Sequence, residues 1–194
     1  MIHAGFAFDN PTTGTRTVVL ESDRETGGMG WLLEVSRTST AGPDIPEHLH
    51  ATWTETFEIL EGRARYGLDR LTAIAQAGEK VIVPPGHRHV HPWNAVEGRL
   101  VYRQRTVFQA PSAAAVQDIL GMFATRFGME RDGTAPSSGV GRALQQAATL
   151  RNAVRHGNFM GAPSVAAQKT VAATLGVMAE ALGYRAVHRR YVGG

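Results

Sequence analysis

Up to Pro111 this chain is a succession of short β-rich runs, and that punctuation limits its fold more than any other feature. Residues 15–21, 30–38, 56–60, 63–68, 80–83 and 99–108 are rich in β-branched and aromatic side chains. Asn10-Pro11, Gly27-Gly28, Gly42-Pro43, Glu61-Gly62 and Pro84-Pro85-Gly86 break the chain between them. Short strands with closely spaced turns predict a sandwich or barrel rather than alternating βαβ units. After Pro111 the hydrophobic period lengthens to that of helices. Ser112 is placed to cap a helix with Val116, Ile119, Leu120, Phe123 and Phe127 on one face and Gly128 as its stop. A loop over 129–141 follows. A second helix is expected over 142–156, with Leu144, Ala147, Leu150 and Val154 on a stripe. A third, over 164–182, is expected to face Val171, Leu175, Met178 and Leu182 inward before Gly183. Amphipathic helices need a surface to cover, so these are expected against the β domain or at a dimer interface. The expected division is a β-barrel over 1–110 and a helical extension over 111–194.

Four residues of the β region carry chemistry. His48 and His50 are two apart, so on an extended strand their imidazoles share a face. One strand thus offers two nitrogens to one ion, and Glu55 and His89 are able to complete the set from adjacent strands. Neutral imidazole with carboxylate suits Fe, Mn, Ni, Cu or Zn, and not Ca or Mg, which want all-oxygen shells. Three histidines and one glutamate leave positions open on an ion that takes five or six ligands, as a catalytic site requires.

Composition excludes several alternatives. No cysteine is present among the 194 residues, so there is no thiolate ligand, thiol nucleophile or disulfide framework. The sequence pI is about 9.7, but the positive excess lies after residue 110, spread out and without a nucleic-acid-binding motif, so no nucleic-acid partner is expected. No run reaches the roughly 18 apolar residues of a membrane span. The segment MIHAGFAFDNPTTGTR lacks the basic-then-apolar pattern of a signal peptide, and the expected location is cytoplasmic.

The ligand spacing is part of a longer pattern. Gly42-x5-His48-x-His50-x4-Glu55-x6-Gly62 resembles the first motif of the cupin superfamily at every defined position, and Gly78-x5-Pro84-x-Gly86-x2-His89 resembles the second. The departure is that Trp93 stands where that family usually has asparagine, and Asn94 follows one residue later. The whole chain also resembles a single-domain group of bacterial cupins with C-terminal helices, largely without an assigned reaction. The resemblance implies a mainly β fold, a double-stranded β-helix or jelly-roll barrel, with a C-terminal α-helical extension. It implies one divalent transition metal held by His48, His50, Glu55 and His89, and a homodimer.

Strand alternation adds a second layer of expectations. Phe57 and Ile59 follow Glu55 inward, while Glu58 points to solvent. His91 shares the parity of His89 and is expected either in the cavity as an acid–base group or at the rim against Trp93; His87 is expected exposed at the turn. Trp31, Leu33 and Val35 form an apolar wall. Strand 99–108 shows no clean alternation, which leaves open whether Tyr102 and Gln104 or Arg103 and Arg105 face inward. The expected ligand is a small, largely apolar or aromatic organic molecule. The leading reaction is dioxygenase-like, with metal-dependent isomerisation or cyclisation, or non-catalytic binding, as alternatives.

Overall fold

A computed structural model of the chain describes residues 1–137 and 139–193. In chain order the strands are β1 (Ala7–Asn10), β2 (Thr15–Glu21), β3 (Gly30–Arg37), β4 (His48–His50), β5 (Trp53–Glu61), β6 (Arg63–Leu68), β7 (Leu71–Gln76), β8 (Lys80–Val83), β9 (His89–Asn94), β10 (Leu100–Phe108) and β11 (Asn158–Met160). The helices are α1 (Asp23–Thr26), α2 (Ala113–Arg131), α3 (Gly139–Arg155), α4 (Val165–Ala173) and α5 (Leu175–Ala181), followed by a 3-10 turn at Arg189–Tyr191. Two antiparallel sheets, ordered β1-β2-β3-β10-β5-β8 and β11-β4-β9-β6-β7, form the jelly-roll barrel. No helix among the described residues is long and apolar enough to cross a membrane.

The inner face follows from period-2 burial. Trp31, Leu33 and Val35 of β3 point in, as do Trp53, Glu55, Phe57 and Ile59 of β5. Strand β10 pairs with both, placing Thr106 opposite Glu55 and Gln104 opposite Phe57. This settles the strand whose sequence left two choices: Tyr102, Gln104, Thr106 and Phe108 are buried. Arg103 and Arg105 lie on the outer face, paired with Glu34 and Glu21. Each fully buried aliphatic or aromatic side chain contributes about 1.5–3 kcal/mol. That set continues without a break from the barrel into Val116, Ile119, Leu120 and Phe127 of α2.

The helical half departs from expectation in two places. Ser112 caps α2 as expected, accepting from the Ala115 N–H at 3.1 Å, but the helix runs through Gly128 to Arg131. Gly128 is there for space, because a Cβ on it would lie 2.8 Å from Cγ of Tyr191. The expected third helix is broken at Thr174 into α4 and α5, and its buried face is Gln168, Ala172, Gly176 and Ala179. A Cβ on Gly176 would lie 2.7 Å from Arg151 Cβ, so α5 packs backbone-close on α3 through small residues, among them Ala147, Ala148 and Ala179. Close approach decides which face turns in, and Leu175, Met178 and Leu182, expected inward, are 47%, 46% and 62% exposed. The loop expected over 129–141 shrinks because α2 and α3 extend into it; position 138 lies outside the described residues.

Strands β1, β7 and β11 were not foreseen. β7 is almost entirely exposed and so lacks an alternating apolar face, while β11 is three residues inside the helical half. Gln168 holds β11 in place. Its side-chain oxygen accepts from the Met160 N–H at 2.9 Å, and its amide donates to the carbonyls of Met160 and Pro163 at 2.8 and 2.7 Å.

Replacing a helix-interior glycine by alanine ordinarily gains up to about 1 kcal/mol. For Gly128→Ala the opposite sign is expected, a loss of about 1–3 kcal/mol through overpacking against Tyr191. Chemical denaturation measures it, and a variant as stable as the parent or more so would show that Tyr191 does not require this gap.

Candidate metal centre

Strand β4 is only three residues long, yet it is held on both sides. It pairs with β9, His48 opposite His89, and with β11, where Asn158 and Met160 stand opposite His50 and His48. Its approach loop is closed by a buried ion pair, Arg37 to Asp44 at 2.9 Å. Arg37 also donates to the carbonyls of Ala41 and Gly42, and Asp44 accepts from Asn10, Thr13 and Thr15. On the other side, Gly86 donates its N–H to the His50 carbonyl at 2.7 Å. Gly86 sits at φ +84°, a conformation that only glycine adopts without strain, so the Pro-Pro-Gly turn of the second motif is tied to the first. Asn94, displaced by one position from the family pattern, donates to the Gly98 carbonyl at 2.8 Å and closes the turn into β10.

These elements bring His48, His50, Glu55 and His89 together, and His91 with them. All five are buried, and each offers a ligand atom within 4.8 Å of the others. The Nε2 atoms of His89, His91 and His50 stand 3.0, 3.2 and 3.3 Å from one oxygen, Oε2 of Glu55. His48 and His89 each donate through Nδ1 to a backbone carbonyl, of Pro46 at 2.9 Å and His87 at 3.2 Å. A carbonyl only accepts, so these bonds put the proton on Nδ1 and aim the Nε2 lone pair into the cluster. His50 lies flat on Trp53, with centroids 4.1 Å apart and planes 14° apart.

The other oxygen of Glu55 is engaged separately. Oε1 accepts from the Gln104 amide at 2.8 Å and from the Thr106 hydroxyl at 3.0 Å. The sequence left open whether Gln104 faces inward and did not single out Thr106; the signal available was their shared parity with Glu55 once the register of β10 is known. His87 lies at the turn, half exposed and bonded to Asp69, and Glu58 pairs with Lys80 on the outer face.

The donor set fits a divalent transition metal. Nε2 of His50 and of His91 are buried without a hydrogen-bond partner, despite lying close to Oε2. Only His89 of the three is in hydrogen-bond geometry with Oε2, and a cation between the carboxylate oxygen and the other ring nitrogens would satisfy them. Burial lowers the pKa of His48 well below the ordinary 6.5, the neighbouring imidazoles adding to the effect. It also lowers that of His50, against the opposing pull of Glu55. Burial works the other way on Glu55, but His50 and His91 outweigh it and hold the carboxyl well below its usual range. Neutral imidazoles and an ionised carboxylate are the forms that bind metal.

Residues 38–102 match the family model of the cupin domain. The chain carries a cupin domain. No curated protein matches it by sequence. Among solved structures it is similar to a predicted oxalate decarboxylase from Thermotoga maritima, at 14% identity over 56% of this chain and 98% of that one, with a TM-score of 0.45. It is also similar to the cupin domain of Schizosaccharomyces pombe Cnp3, at 14% identity over 63% and 74%, TM-score 0.42. A third is a recombinant oxalate oxidase in complex with glycolate, at 21% identity over 55% and 58%, TM-score 0.44.

A histidine whose folded-state pKa is depressed binds fewer protons folded than unfolded, so stability falls as pH drops below the unfolded value. Metal-free protein is therefore expected to lose stability on acidification below pH 6.5. The loss is at most about 1.4 kcal/mol per pH unit for each of His48 and His50. Thermal unfolding of chelator-treated protein across pH 7.5 to 5 reads it, and the double variant His48→Gln/His50→Gln should flatten the slope. A wild-type profile that is flat over that range would contradict the buried neutral pair.

Proposed function

We propose that this cupin domain is a metal-dependent enzyme acting on a small, largely apolar or aromatic organic molecule, with a dioxygenase-like oxidation as its reaction. The observation that carries this reading is that the donor cluster adjoins an apolar cavity. His91 and Gln104 line it on one side, Phe8, Trp31, Leu33 and Val35 form its wall, and Leu120, Phe123 and Phe127 of α2 close it. In this reading His48, His50, Glu55 and His89 hold one divalent Fe, Mn, Ni, Cu or Zn ion. When bound, that ion supplies positions for substrate or O₂ and a Lewis-acid centre.

The remaining tasks fall to the chain's own residues. The aromatic wall orients a flat or apolar molecule and keeps water away from it. The outward placement of Arg103 and Arg105 leaves no guanidinium from β10 for a phosphate or a carboxylate substrate to pair with. Gln104 and Thr106 keep Glu55 in one orientation whatever enters the cavity. A redox-neutral isomerisation or cyclisation is the second reading, favoured by Tyr102. Its hydroxyl is held protonated by burial, with Asp44 adding to the effect, and it lines the same cavity, where it is placed to donate a hydrogen bond to a bound carbonyl and polarise it.

Protein purified from metal-replete medium should contain close to one transition-metal ion per chain and consume O₂ in step with loss of a small aromatic or apolar substrate. His89→Ala should lower both metal content and turnover by at least about 100-fold. An oxygen electrode combined with product analysis decides the reaction. Turnover without O₂ uptake overturns dioxygenation in favour of the redox-neutral reading. Saturable binding with no turnover of any compound would make the domain a non-catalytic binder.

A further inference from the structure

His91 lies outside the motif positions that match the cupin pattern, yet it occupies the cluster on the same terms as the residues within them. It repeats on β9 the two-residue spacing of His48 and His50 on β4, so β9 presents two imidazoles to the same face. His48 stands opposite His89 across the antiparallel pair, which puts His50 and His91 at opposite ends of the four-imidazole group. The His91 ring packs parallel to His89, with centroids 5.5 Å apart and planes at 18°, and lies 4.8 Å from His48 and 5.0 Å from Phe57. Its Nε2 is as close to Glu55 Oε2 as those of His89 and His50, and it is buried with no hydrogen-bond partner.

We infer that His91 is a fifth protein donor to the metal, so that the chain supplies four imidazoles and one carboxylate oxygen. This rests on the reading of the cluster as a metal site. The carboxylate contributes through Oε2 alone, because Gln104 and Thr106 both donate to Oε1 and hold it away from the histidines. Five donors leave one position on an ion that takes six ligands. The site then suits Mn, Fe or Ni better than tetrahedral Zn. It admits a single outside oxygen or nitrogen atom at a time: a water, or one carbonyl or phenol oxygen of a substrate lying in the apolar cavity, and not a chelating pair. An acid–base residue, by contrast, needs its reactive nitrogen facing the substrate and free of the ion.

The test uses Mn(II) alone, without substrate. Water-proton relaxivity of the loaded wild-type protein should report one bound water. His91→Phe, which fills the same space with no donor, should report two, with the Mn(II) Kd weakened about 10- to 100-fold in an electron paramagnetic resonance titration. An unchanged water number and Kd in His91→Phe would overturn the assignment and return His91 to an acid–base role. X-ray absorption on the loaded wild-type protein needs no variant: four imidazoles in the first coordination shell support the assignment, and three overturn it. Wild-type protein that binds no Mn(II), Fe(II), Ni(II), Cu(II) or Zn(II) would overturn the metal-site reading as well, a result separable from the failure of His91 alone.

Discussion

The arrangement turns on one buried carboxylate. Glu55 sits at 1% exposure among imidazoles, and an isolated ionised carboxylate in such a place would cost far more than a domain of this size could tolerate. It is held because its two oxygens have different partners. Oε1 takes two neutral donors from β10, and Oε2 faces Nε2 atoms of His50, His89 and His91. The first set is satisfied by the protein itself. The second is crowded, with His89 in hydrogen-bond geometry and Nε2 of His50 and of His91 left without a partner, and a divalent ion would resolve that crowding.

Much of the barrel serves to hold that geometry. Strand β10 pairs with β3 and β5, so one strand fixes both the register of Glu55 and the wall of the cavity. Strand β4 is too short to be held by its own ladder, and it relies on β9, on β11 and on the Arg37–Asp44 loop closure. Because β11 and α2 come from the second half of the chain, that half helps to position His48 and His50 and closes the cavity. The extension is therefore part of how the site is built, through Gln168 holding β11 and Phe123 and Phe127 lining the cavity.

The legible and illegible parts of the sequence separate along physical lines. The strands at 15–21, 63–68 and 80–83 coincide with β2, β6 and β8, since local alternation and turn residues specify them without help from elsewhere. The cluster of His48, His50, Glu55 and His89 was legible because its spacing resembles the two cupin motifs, strand alternation alone placing only His48 and His50 on one face. Gln104 and Thr106 were not, because their role depends on which strand lies beside Glu55, a long-range fact absent from local pattern. Gly128 looked like a helix stop because glycine serves both as a cap and as a gap, and only the position of Tyr191 distinguishes the two. The exposed face of α5 misled for a related reason: Leu175, Met178 and Leu182 form a plausible core stripe, but backbone-close packing at Gly176 and Ala179 against α3 outcompetes it.

Anomalous diffraction from crystals of metal-replete protein, collected above and below the metal's absorption edge, tests the central claim most directly. The account predicts one dominant peak per chain at the centre of His48, His50, Glu55, His89 and His91, with the Glu55 Oε1 bonds to Gln104 and Thr106 intact. A map with no anomalous density among these side chains, or with Glu55 turned away from the histidines, would contradict it.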